Sequence, residues 1–542
     1  MSLLAAFLLL FPAAVRGSEE IPAERPPLTE RQKVLHVLDR LTFGPRPGDV
    51  ERVESQGLEK YIDDQLHPER LRDSLCETEL RKYKVLTMSS VQLFQEYPNM
   101  GAKKRFARFF SFGDSKPKDL LGELAAAKLT RAVLSERQLE EVMVDFWFNH
   151  FNVSFAKNQD KWLVGPYERD VIRPRVLGKF RDLLGAVAHS PAMLVYLDNY
   201  QSTIDARYAP MGAQDDISEM ENRMAMNSKG KGRTKLGLNE NYAREIMELH
   251  TLGVDGGYSQ KDVTELARVL TGWSIVQPNP KQNFNDYKFD FKRRMHDPGV
   301  KYVLGRSFVW EGEHEGEKAL DMLAEHPATA HFIALKLCRR FVSDEPPAPL
   351  VDFVAERFLT THGDIRATLH ALFSSPEFYN PKFFRAKVKS PFEYWVSALR
   401  ATGAELVQPI IVAKQLDRLG EPLYLCEPPT GYPDRASPWI NSGALLTRMT
   451  LAASLFYSGP KAQATADPAE FLKGVDAQDG KAVVEAYVNA FLGGQISDRT
   501  RSIILERIDR PELSNKRPDG KKNYQLGKLA ALILGSPDFQ RR

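Results

Sequence analysis

Asn239-Glu-Asn-Tyr-Ala-Arg-Glu-Ile-Met-Glu-Leu-His-Thr-Leu-Gly253 reads as one capped helix. Asn239 supplies an N-cap, apolar side chains recur at helical spacing, and Gly253 closes the run. The turn Val254-Asp-Gly-Gly-Tyr-Ser-Gln-Lys-Asp262 then caps a further helix. The first helix carries Arg244, the carboxylates Glu240, Glu245 and Glu248, and His250. Charge this dense beside apolar residues has two readings. Glu240 and Glu248 lie at i−4 and i+4 from Arg244, an ion-pair ladder in which each exposed pair contributes about 0.3–0.5 kcal/mol. If the cluster is buried, that value no longer applies and a site is indicated.

The same helical signals recur along the chain. Thr29-Glu-Arg-Gln32 is a capping box opening a helix through Leu41, and Gly44-Pro-Arg-Pro-Gly48 breaks it. Val50 to Leu66 reads as two short helices interrupted at Gly57, Gln138 to Phe148 as an apolar helix, and Arg173 to Ala188 as another. Trp147, Trp273 and Trp395 stand in apolar helical context and are core candidates. The best strands are Tyr287–Phe291 and Lys301–Phe308, with His296-Asp-Pro-Gly299 as the turn between them. Two C-terminal segments echo one another, ending Ser374-Ser-Pro-Glu-Phe378 and Gly535-Ser-Pro-Asp-Phe539, where Pro forbids a continuing helix. The fold class is therefore mostly α, a multi-helix globular protein with one β-hairpin and two helical lobes. The division is a signal peptide at 1–17, a linker at 18–28, an N-terminal lobe at 29–285 with a polar loop at 213–237, a hairpin at 286–310 and a C-terminal lobe at 311–542.

Size and composition exclude several classes. A chain of 542 residues with 43% hydrophobic and 27% charged residues suits a large soluble core. A net charge of +3 is small for this length, and no basic stripe interleaves with aromatics, so no nucleic-acid partner is implied. Leu3 to Phe11 is too short to span a bilayer and is followed by small residues up to Gly17, the outline of a secretory signal. No later apolar run is long enough for an integral membrane segment. The localisation expected is secreted or periplasmic. Cys76, Cys338 and Cys426 are odd in number and far apart, so no disulfide framework is readable, and Cys338 reads as a small apolar residue.

Familiar catalytic plans fail on spacing. There is no HExxH, GxSxG or GxGxxG, and the Gly/Lys-rich run Lys229–Lys235 lacks P-loop spacing. Glu245 and Glu248 are i, i+3, but His250 follows Glu248 by two, so the di-iron ExxH spacing is broken. His326 and His331 lie about 140° apart around a helix and cannot face one metal. No metal site is assigned.

These stretches, with others, resemble one bacterial family, domain of unknown function 1800. The carrying residues are His36-Val-Leu-Asp-Arg-Leu-Thr-Phe-Gly-Pro45, Phe146-Trp-Phe-Asn-His-Phe-Asn152, Asn239 to Gly253 and Asp262 to Trp273. With them come His326-Pro-Ala-Thr-Ala330, Lys389-Ser-Pro-Phe-Glu393, Gly431-Tyr-Pro433 and Gly443-Ala-Leu-Leu446. The resemblance implies an exported bacterial protein, often encoded beside a sulfatase-like partner, and implies no particular reaction.

A more distant similarity is to animal-type haem peroxidases. Phe146 to Phe151 looks like the helix with the distal histidine, Leu194 to Ser202 like the segment after it, and Asn241 to Leu252 like the helix with the catalytic Arg. That likeness implies His150 as proton shuttle, Arg244 as the charge stabiliser, Glu245 as the haem-linking carboxylate and His326 (or His331) as the iron ligand. The group has an Asp on each side of its distal His, where this chain has Asn149 and Phe151, which puts calcium binding and the haem link in doubt. The plainer reading of His150 is a half-buried histidine bonded to a backbone carbonyl.

Three functions follow. The first is an exported partner or scaffold for a co-secreted enzyme. The others are a haem-dependent peroxidase-like oxidoreductase, and a hydrolase or binding protein for an extracellular polymer using the carboxylates around Glu245. A pocket shared by His150, Arg244 and His326 or His331 distinguishes the haem reading; a filled core there favours the scaffold.

Overall fold

The computed structural model describes residues 26–99, 113–204, 237–278, 286–457, 461–511, 513–516, 518–519 and 522–542. The expected signal peptide and most of the polar loop, with its Lys229–Lys235 run, lie outside the described residues. The rest is mostly helical, as the periodicity predicts.

The first helix, α1 (Glu30–Leu41), opens on the expected capping box, with Gln32 N donating to Thr29 Oγ1 and Thr29 N to Gln32 Oε1. Gly57, at φ 90°, separates α2 (Asp49–Gln56) from α3 (Leu58–Leu66). Then come α4 (Pro117–Leu134) and α5 (Gln138–His150). The opening stretch forms α6 (Glu240–Glu245), capped by Asn239, and continues as one π-helical segment, Ile246–Thr251. Ser259 and Asp262 box the start of α7 (Gln260–Val269). The helix expected from Arg173 begins only at Phe180. Backbone pairing explains the delay: Phe180 N donates to Gly363 O and Ile365 N to Gly178 O, which holds 178–180 extended.

The single hairpin expected over 286–310 needs correction. Residues 288–291 are a strand, but β2 (Lys288–Phe291) pairs antiparallel with β1 (Trp273–Val276). Lys301–Phe308 folds back on itself as β3 (Lys301–Val303) and β4 (Arg306–Phe308). The cause is local: Leu304 and Gly305 take φ of 48° and 77°, a left-handed pair that makes a tight turn inside the expected strand. Trp273 is thus a strand residue. Its ring lies where a Cβ on Gly316 of α8 (Glu313–Ala324) would come within 2.1 Å, so only glycine lets that helix approach. His296 turns inward, its Nε2 3.0 Å from Glu315 Oε1, while Lys301 Nζ donates to Glu315 Oε2 at 2.6 Å.

The C-terminal half adds α9 (Pro327–Phe341), α10 (Pro391–Ala401), α11 (Pro409–Leu419), α12 (Ser442–Ser454) and α13 (Leu526–Leu534). The two echoing Ser-Pro segments adopt the same turn: Phe378 N donates to Ser375 Oγ and Phe539 N to Ser536 Oγ, both at 3.3 Å, burying both rings. The lobes expected at 29–285 and 311–542 share one apolar core running from Val34 to Phe539. Trp147, Trp273, Trp395 and Cys338 are all in it. No helix among the described residues is long and apolar enough to cross a membrane.

Buried arginine ties these pieces together. Arg400, 1% exposed, donates from Nε to Gly44 O (2.6 Å) and from Nη1 to Val133 O (2.8 Å), with Nη2 3.5 Å from Asp49 Oδ2. One side chain therefore joins α10, the α1–α2 break, the end of α4 and the start of α2. Replacing it leaves two carbonyls and part of a buried carboxylate without donors. Arg400→Met is expected to lower unfolding stability by about 3 kcal/mol in urea titration; a loss within the roughly 0.5 kcal/mol typical of surface changes would refute the role assigned to it.

Candidate functional site

The predicted site residues do not converge. His150 is buried in an aromatic cage, with ring centroids 4.4 Å from Phe151, 5.3 Å from Trp147 and 6.1 Å from Phe332. Its Nε2 lies 3.1 Å from the His250 carbonyl oxygen and donates to it. Burial first, and then the charges of Lys336 and His250, hold its imidazole neutral and well below the ordinary range. Arg244 donates to Gln260 Oε1 at 2.6 Å, and Gln260 passes the chain on to Glu240. This is a bridge between α6 and α7 in place of the expected i, i+4 ladder. Glu248 instead accepts from the Tyr258 hydroxyl. Glu245 is half-buried, its carboxyl raised by burial and by Glu248. His326 is the N-cap of α9, its Nδ1 accepting from Ala328 N at 3.1 Å, and His331 is exposed, 3.7 Å from Asp352.

These residues do not fit a haem. A distal histidine needs an open face, whereas both nitrogens of His150 are enclosed, one on a carbonyl and the other without a partner. The proposed iron ligand spends its Nδ1 on a helix end. Ligand atoms of His189, Glu313 and Glu317 all lie within 4.8 Å of one another, within metal-ligand reach. However, Arg181 already sits 2.7 Å from Glu317 and His189 Nε2 2.8 Å from it, so the carboxylate already has protein partners.

What does converge is another face of α5. Asp145, Phe148 and Asn149 follow the i, i+3, i+4 stripe, Asn152 lies just past the helix end, and all four line a cavity of about 100 Å³. Asn149 clamps Tyr432 in both directions, accepting from its N–H at 2.7 Å and donating to its C=O at 2.9 Å. Asn152 Nδ2 donates to the carbonyls of Cys426 and Pro428. The 422–433 segment is thus laced onto the helix. Gly431 is required there: its φ is +71°, and a Cβ would sit 2.3 Å from Asn149 O.

The cavity is walled by charge. Lys128, 7% exposed, lies 3.2 Å from Asp145 and 3.3 Å from Glu168, and above the rings of Phe148 and Tyr424. Burial opposes its charge, but Glu168 and Asp145 outweigh that and raise it. Glu393 closes the α10 capping box with Ser390 and places Oε1 2.5 Å from Arg340 and 2.7 Å from Arg542. Lys387 pairs with Asp344, which also accepts from Ala436 N. Glu421 accepts from Phe392 N at 2.8 Å and from the Ser390 side chain, yet burial, aided by the nearby charge of Asp145, pushes its carboxyl up to about 8. Burial therefore keeps it protonated at neutral pH, in the same cavity wall as Asp145 and Lys128.

The cavity draws on the Phe146–Asn152 stretch, and its lining holds none of the expected His150, Arg244, Glu245 and His326. The signal for Asp145 and Asn149 was two polar residues at i, i+4 in the apolar second half of the helix, with Asn152 just beyond its end. Glu421 and Arg542 carried none, because only burial makes them unusual.

The chain belongs to the family described as "Protein of unknown function (DUF1800)", whose model matches residues 36–541. No curated protein and no solved structure matches the chain.

The buried histidines set the acid limb of stability. In the folded protein burial lowers His250 to about 3, and His150 is lowered too. In the unfolded chain both protonate near 6.5. Their contribution is full above about pH 6.5 and is lost as pH falls from there toward 3, because only the unfolded state takes up the protons. The melting temperature is expected to fall across that window, with a shallower slope in His250→Phe. An unchanged slope in that variant would show that His250 titrates normally in the fold.

Proposed function

We propose that the protein is an exported ligand-binding partner of a co-secreted, sulfatase-like enzyme, and that the cavity beside α5 is its binding site. One observation carries this reading. Three stretches that bear the family resemblance, Phe146–Asn152, Lys389–Glu393 and Gly431–Pro433, lie far apart in sequence and meet around one cavity. The dominant hydrogen bonds of Asn149 and Asn152 hold that cavity's wall, which accounts for residue types that helix packing alone does not require. The filled aromatic cage around His150 supports a scaffold over a haem oxidoreductase. The apolar run Leu3–Phe11 and the small residues up to Gly17 support export.

A second reading has its own support. Glu421, its carboxyl raised by burial, lines the same cavity as Asp145, and two carboxyl groups facing one polar cavity are what acid–base catalysis of a small polar substrate uses. This would make the protein a hydrolase through these carboxyl groups and not through Glu245.

Expression of the full chain in a bacterial host with the enzyme encoded beside it tests the first reading. The expected result is recovery from the periplasm or medium, a mass lacking residues 1–17, and co-elution with the enzyme. Protein with an intact N-terminus in the cytosol, or enzyme that elutes alone, would overturn it. Haem-supplemented protein is expected to be colourless, and a Soret band would restore the peroxidase reading.

A further inference from the structure

The cavity's charge is uneven, and this deepens the proposed binding role, on which it rests. Five cationic side chains line it: Lys128, Arg340, Lys387, Arg435 and Arg542. The lining acids are Asp145, Glu393, Glu421 and Asp434. Glu421 is neutral at neutral pH, and Asp434 is engaged by Lys336 at 2.6 Å, outside the lining. Lys128 and Lys387 have carboxylate partners of their own. Arg340 and Arg542 do not, because both approach the same oxygen, Glu393 Oε1. Two guanidinium groups thus share one carboxylate.

The hydrogen bonding is short at the same place. Arg542 is 4% exposed and uses only Nη2, toward Glu393 and the Arg340 carbonyl. Its Nε and Nη1 are buried with no partner among the described residues. Arg340 Nη1 lies near Glu393 without hydrogen-bond geometry, and its Nη2 has no partner among the described residues. Further cations stand behind them. Arg40 is fully buried, its Nε and Nη1 also without partners, and Lys389 is buried with its Nζ on Ser397 Oγ. Unmet guanidinium donors in low dielectric are costly unless an acceptor completes them. Planar N–H pairs of this kind match the paired oxygens of an oxyanion.

We propose that the Arg340–Arg542 end of the cavity binds the oxyanion group, carboxylate, sulfate or phosphate, of a small ligand, with Glu393 fixing both guanidinium groups in place. The volume of about 100 Å³ suits such a group with a few waters and leaves the remainder of a larger ligand at the mouth by Arg435 and Trp439.

Calorimetric titration of the full chain with sodium sulfate, sodium phosphate and sodium acetate, at constant ionic strength set by chloride, tests this and separates the three sources. One-to-one saturable binding of at least one is expected, weakened about tenfold or more in Arg542→Gln. No saturable binding of any anion, or equal affinity in folded Arg542→Gln, would overturn it. Trp439 provides an independent readout should that variant fail to fold. Its fluorescence is expected to change saturably with the bound anion in the wild type and not with chloride, and to lose that change in Trp439→Phe; no change in the wild type would count against the site. A neutral hexose run in parallel separates the two levels: hexose binding without anion binding would sink the oxyanion assignment and leave the ligand-binding role standing.

Discussion

Buried guanidinium groups hold the two halves of this chain together, and the rest of the structure depends on satisfying them. A helix end leaves backbone carbonyls without partners, and burying that end removes water as the remedy. Arginine supplies donors on a long stem. Arg400 satisfies carbonyls at Gly44 and Val133, Arg40 that of Phe383, Arg448 that of Lys389, and Arg385 that of Leu492. Each bond crosses a long stretch of sequence, so each works as a staple between segments that have no local reason to meet. The same solution draws several positive charges into one region. Few carboxylates accompany them, and the cavity beside α5 is where that imbalance reaches open space.

The cavity follows from how α5 is used. One side of the helix, with Trp147 and His150, is packed in aromatic core. Another, with Asp145 and Asn149, meets the 422–433 segment and the start of α10, and Asn152, just past the helix end, joins it. Amide side chains on that side bond to backbone, which fixes an irregular segment without regular secondary structure. Charged groups are then positioned by rigid neighbours: Lys128 by two carboxylates and two rings, Glu393 by its own capping box. Such preorganisation is what a binding site requires.

Local chemistry was legible in the sequence, and pairing at a distance was not. Caps at Thr29, Asn239 and Ser259, the break at Gly57 and the Ser-Pro turns are set within a few residues, and they formed as read. The hairpin over 286–310 was misread because a left-handed Leu304-Gly305 pair folds one apparent strand in two. The Phe146–Asn152 stretch lines the cavity through Phe146, Phe148, Asn149 and Asn152, and not through His150. A lone imidazole looks reactive in sequence, yet its burial among Phe151, Trp147 and Phe332 makes it a core residue. Glu421 looks ordinary in sequence, and only its surroundings make it a neutral acid.

These segments meet around a charge-walled cavity in which Glu421 is held away from bulk water. Glu421 reports on that directly. Difference infrared spectroscopy of the wild type against Glu421→Gln, followed through a pH titration, isolates its carboxyl stretch. The account predicts a neutral carboxyl at pH 7 that ionises only near about 8 and is missing from the variant. A carboxylate already ionised well below neutrality would mean that water reaches Glu421, and would contradict the cavity on which the proposed function rests.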